Sequence, residues 1–109
     1  MGYNTQYTFD TVFRPWSEYE AVARENDEIR YILTNGSGKW YDYDDDMKEF
    51  SKRFPDEVFI LRGEGEEFPD VWRKAYKDGR VYSAPIIIQF PEISVPGAKV
   101  KALTVDTTR

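Results

Sequence analysis

Asp42, Asp44, Asp45 and Asp46 fall within five positions of the stretch KWYDYDDD. Such a density of carboxylates suits three chemistries: ligating a cation, imitating nucleic-acid phosphates, or opening a helix. As a calcium loop, Asp42, Asp44 and Asp46 match positions 1, 3 and 5. Position 6, however, is Met47 where the sharp turn needs Gly, and position 12 is Arg53 where Glu should close the site. The helical alternative accounts for every acid. Tyr43, Met47, Phe50 and Phe54 form one apolar stripe, and Asp42 stands where a cap belongs, with Asp45 three residues on. Asp44, Asp45 and Asp46 then sit in the first turn, where the helix dipole favours carboxylates. Lys52 and Arg53 sit in the last turn, and Pro55 ends the helix. No metal is expected.

Other chemistries find little support. The chain has neither His nor Cys, so it lacks the usual base near neutral pH and any thiolate ligand or nucleophile. Ser17, Ser37, Ser51, Ser83 and Ser94 have no His to activate them, and none lies in a Gly-x-Ser-x-Gly elbow. Glu64, Glu66, Glu67 and Asp70 offer carboxylates for acid–base hydrolysis, but solvated acids at a strand end are the simpler reading. RGEGEE lacks the third Gly of a phosphate cradle and is followed by acids and Pro69 rather than a helix. The expectation is a non-enzyme without cofactors.

Two binding surfaces remain. From Asp42 to Asp70 there are eleven acids and four bases. Asp42, Asp44, Asp45, Asp46, Glu64, Glu66 and Glu67 would form an acidic surface able to occupy the basic cleft of a partner protein, in competition with nucleic acid. The alternative is a nucleic-acid surface on the hairpin VWRKAYKDGRVY, built from Arg73, Lys74, Tyr76, Lys77, Arg80 and Tyr82. A net charge of −5 on the whole chain opposes that alternative, although Val71 to Arg109 is basic.

These residues must be held by one domain of 109 residues whose 17% aromatic content predicts a core rich in Tyr, Phe and Trp. GYNTQYTF alternates as a half-buried strand, and WSEYEAVAREND reads as a short helix. EIRYILT reads as a strand, Asn35-Gly36 as a hairpin turn, and KWYDY as the returning strand. After the Asp42 helix, Val58 to Leu61 reads as a strand buried on both faces. VWRKAYKDGRVYSAPIIIQF reads as a second hairpin turning at Asp78-Gly79, with a bulge or edge position at Pro85. Residues 96–109 add an edge strand or trail as a tail. The fold class is therefore α+β: a ferredoxin-like split βαβ antiparallel sheet with two helices on one face, extended by a C-terminal β-hairpin. The longest apolar run, APIII, is too short to span a bilayer, and MGYNTQYTFD has no secretory pattern, so a cytoplasmic protein is expected.

The stretch KWYDYDDDMKEFSKRFPDEVFILRGEGEE with DVWRKAYKDGRV resembles small proteins of bacteriophages and prophages that carry a ferredoxin-like domain. The resemblance spans about Lys39 to Val81. It departs from the family pattern at Tyr43, where His is expected, and at Phe68-Pro69 after the second GEE. It implies a phage accessory protein, acting in the cytoplasm of the infected bacterium. Such a protein would bind and inhibit a host or defence-system protein such as a CRISPR effector. No catalytic residues carry over.

Overall fold

The computed structural model describes residues 4–67, 70–83, 86–90, 92–100 and 103–107. It is α+β, with an antiparallel five-stranded sheet in the order β2-β1-β3-β4-β5. The strands are β1 (Thr5–Thr11), β2 (Ser37–Gly38), β3 (Phe59–Glu64), β4 (Val71–Lys77) and β5 (Arg80–Ser83). Three helices, α1 (Glu20–Ala23), α2 (Asp27–Asn35) and α3 (Tyr43–Lys52), join a single 3-10 turn at Trp16–Glu18. The core is aromatic, as composition predicts. Tyr19, Trp40, Phe50, Phe59, Trp72 and Tyr76 are buried beside Ala23, Ile29, Ile32, Met47 and Leu61. None of the helices among the described residues is long and apolar enough to cross a membrane.

Two expected strands are absent, for one reason. EIRYILT is rich in β-formers, yet it folds as helix α2. The Asn26 side chain accepts the Ile29 N–H at 3.0 Å, and Asp27 and Glu28 fill the first turn. Ile29 and Ile32 are both 1% exposed. A strand would send residues three apart to opposite faces, whereas a helix brings them to one. Asn35-Gly36 consequently ends a helix rather than turning a hairpin: Gly36 takes φ 80° and its N–H donates to Ile32 O at 2.7 Å. KWYDY is therefore not a returning strand. Only Ser37 and Gly38 pair, with Gln6 and Thr5.

Elsewhere the sequence pattern and the structure agree in outline. Helix α3 buries Met47 and Phe50, with Tyr43 and Phe54 packed against the core. Its Asp42 makes no side-chain cap bond; the carboxylate is exposed, and neighbouring acids bond elsewhere. Strand β3 alternates buried and half-buried residues rather than burying both faces, because the helices cover one side only. Gly63 lies under Trp72, where an added Cβ would come within 2.3 Å of the indole. A close approach, rather than a bulge, explains that glycine. The β4–β5 hairpin extends the sheet through a two-residue turn in which Asp78 and Gly79 take φ 48° and 80°.

Beyond β5, the described residues form two antiparallel strand pairs, here called the ribbon. β6 (Ile86–Phe90) pairs with β9 (Leu103–Thr107), and β7 (Ile93–Val95) pairs with β8 (Ala98–Val100). Both pairings continue one register, Ile86 opposite Thr107 and Ile93 opposite Val100, around a turn with Gly97 at φ 81°. Of the segment expected as an edge strand or tail, Ala98–Val100 and Leu103–Thr107 pair within the ribbon. The bulge or edge position expected at Pro85, and Phe68-Pro69, lie outside the described residues.

Glu57 fixes the chain after β1. This carboxylate is 2% exposed and accepts N–H bonds from Val12, Phe13, Arg14 and Val58 at 2.8–3.1 Å and the Tyr19 hydroxyl at 2.7 Å. Burial alone would raise its pKa. The donors outweigh burial and hold it down at about 2. Burial and the Glu57 charge together push the Tyr19 hydroxyl up to about 12.

Candidate functional site

One end of the sheet carries Glu64 and leads into the loop acids Glu66 and Glu67. Gln6 of β1 pairs with Ser37 on one side and Glu64 on the other, so β2, β1 and β3 share that end. The start of α3 lies over the adjoining rung, where Tyr43 stacks on Trp72 at 4.7 Å and Trp72 pairs with Gly63. The approach to α3 is set by Trp40, 3% exposed and edge-on to Tyr7 at 5.4 Å. With Trp40 turned in, Tyr41 turns out and is 78% exposed.

The four aspartates divide into two pairs. Asp44 accepts the Tyr76 hydroxyl at 2.5 Å and the Lys74 ammonium at 3.0 Å. Asp46 accepts the Trp40 indole N–H at 2.7 Å. Both are half-buried and tie α3 to its neighbours. Asp42 and Asp45 face solvent. On the following loop Glu64, Glu66 and Glu67 are exposed. Glu64 pairs with Arg62 at 3.4 Å, and Glu66 accepts the Asn4 N–H at 2.7 Å. Bonds from Gly65 N to Asp70 O and from Asp70 N to Glu67 O, both 2.7 Å, shape the loop. A shallow notch of about 140 Å³ lies between Asn4, Gln6, Glu64, Gly65 and Glu66. Among the described residues, no three acids converge as a metal site would require.

The expected basic hairpin surface is also split. Lys74 and Tyr76 lie on the helix-covered side. Tyr76 is 0% exposed, and Lys74 donates to Tyr43 and Asp44 while sitting over the Tyr43 and Trp72 rings at 4.8 and 5.6 Å. Desolvation lowers the Lys74 pKa, but its bonds to Tyr43 and Asp44 outweigh that and raise it. Burial first, then Asp44, raises the Tyr76 hydroxyl far above the usual phenol range. Neither side chain is free to hold a ligand on the other face. Arg73, Lys77, Arg80 and Tyr82 remain exposed or half-exposed on the uncovered face.

Two residues on these surfaces escaped the sequence reading. Tyr41 follows a buried indole, and although a strand over KWYDY would set the two on opposite faces, nothing local says which face meets water. Arg62 shares the open face because it alternates with Leu61 and Gly63, a signal obscured by reading Val58 to Leu61 as doubly buried. A cleft of about 300 Å³ between the helices is lined by Val22, Asn26, Ile29, Asp46, Phe50 and Arg53 among others; of these only Asp46 belongs to the expected site residues. No protein-family model, curated protein or solved structure matches this chain.

Proposed function

We propose that this chain is a non-enzymatic binding protein that sets its acidic end against a basic surface of another protein. Tyr41, Asp42, Asp45, Glu64, Glu66 and Glu67 would make the contact. The observation that carries this reading is a 78% exposed Tyr41 followed directly in the chain by the exposed Asp42 at the approach to α3. A central aromatic with a charged rim is how many protein interfaces concentrate affinity. Exposed carboxylates add steering at low salt. The resemblance of Lys39 to Val81 to phage proteins supports a host or defence-system protein as the partner, a CRISPR effector being one example. The place of action would be the infected cell's cytoplasm. The frame we propose is ferredoxin-like, with the inner hairpin reduced to β2 and the sheet extended by β4 and β5.

The test is affinity capture from host lysate followed by binding of the purified partner. Wild-type chain should retain a protein with a basic cleft at low salt and release it as salt rises. Asp42→Lys with Asp45→Lys should weaken binding at least about tenfold, mainly through the association rate. Tyr41→Ala should mainly speed dissociation. Equal binding by the charge-reversed variant would overturn the proposal.

A further inference from the structure

The sheet carries an uncovered face whose charges are arranged against its own stability. Strand register sets Arg62 directly opposite Arg73, and Lys77 directly opposite Arg80. Like charges facing each other across strands destabilise a sheet unless something neutralises them. Internal neutralisation is incomplete. Glu64 reaches Arg62 at 3.4 Å, and Lys77 donates to Pro55 O at 2.6 Å. Arg73 and Arg80 are exposed and form no ion pair among the described residues.

Tyr82 occupies the rung between the two cation pairs, opposite Ala75. It is 54% exposed and makes no ring contact among the described residues. Along β4, the two cation rungs are four residues apart, roughly 13 Å at strand rise. We propose that this face binds a short single strand of nucleic acid, phosphates lying between Arg62 and Arg73 and between Lys77 and Arg80, with a base stacked on Tyr82. Charge complementarity selects a polyanion, and the exposed ring between separated cation pairs selects an unpaired strand. In a duplex, the base faces are stacked on one another and Tyr82 would have nothing to cover. Asp10 lies on the Tyr82 rung, across Ile60 and Ala75, and keeps the site weak. This surface adjoins the acidic end, since Glu64 pairs with Arg62, but does not depend on the function proposed above.

Fluorescence anisotropy with a labelled oligothymidylate, the matching uridylate strand and a duplex control tests the inference at about 50 mM salt. Both single strands should bind more tightly than the duplex, and binding should fall steeply with salt. Arg73→Ala with Arg80→Ala should weaken it roughly tenfold or more and flatten the salt dependence. Tyr82→Ala should weaken it while leaving the salt slope unchanged. Arg73→Glu should abolish binding while raising the melting temperature, because it sets an acid opposite Arg62. That combination separates a ligand-binding role from a structural one. No single-strand binding, equal binding of duplex, or full binding by Arg73→Glu would overturn the inference. Asp42→Lys with Asp45→Lys should leave oligonucleotide binding no weaker than in the wild type, and a loss in that variant would place the site at the acidic end instead.

Discussion

At the scale of single residues, buried carboxylates in this chain act as anchors for other groups. Glu57 holds three consecutive N–H groups after β1 and presents Val12 and Phe13, 54% and 70% exposed, on a fixed loop. Its folded pKa of about 2 lies below the ordinary 4.5, so its stabilising contribution is complete above about pH 4.5. That contribution is lost as pH falls towards 2, because the unfolded chain takes up the proton first. Glu57→Gln should cost on the order of 3 kcal/mol near neutral pH, since an amide nitrogen would face N–H donors that need an acceptor. Acid titration followed by circular dichroism should show the wild type losing stability between pH 4.5 and 2, with that slope much reduced in Glu57→Gln. Equal slopes would show that other carboxylates govern acid unfolding.

At the scale of elements, a cap and a burial pattern overrode strand propensity. Asn26 satisfies the Ile29 N–H, and Ile29, Ile32 and Leu33 bring a helical stripe to the core. β-branched residues lose only a few tenths of a kcal/mol in a helix relative to better formers, which burial of two isoleucines exceeds several-fold. Asn26→Ala should therefore cost about 1 kcal/mol in chemical denaturation, while Asn26→Asp should stay close to wild type. A neutral Asn26→Ala would mean that packing alone holds the helix start. The Asp78-Gly79 hairpin behaves differently because its signal is local: both turn residues accept positive φ, and the register on each side follows from a two-residue loop.

At the scale of the whole molecule, the radius of gyration is 17.3 Å, against about 13 Å for a compact chain of this length. Among the described residues the ribbon strands pair only with each other, and the described core cluster runs from Tyr7 to Val81. A chain ending at Ser83 should therefore keep the wild-type melting temperature to within a few degrees, measured by calorimetry. A large drop would show that the ribbon supports the sheet. Charge is organised at the same scale: Glu64, Glu66 and Glu67 lie at and beyond the end of β3, while Arg73 and Arg80, without an ion pair among the described residues, lie on the face that the helices leave open.

What the amino-acid order determined by itself is whatever rests on neighbours in the chain. The Tyr43-to-Phe54 stripe, the alternation of β1 and the Asp78-Gly79 turn are of this kind, since side-chain period and backbone φ are local properties. The tertiary structure decided which acids stay in water. Asp44 and Asp46 look identical to Asp42 and Asp45 in the sequence, and only the positions of Tyr76, Lys74 and Trp40 divide them. It decided equally that EIRYILT is a helix and that Arg62 faces Arg73. Those outcomes depend on partners that are distant in the chain, and no period or turn residue encodes which strand will lie alongside.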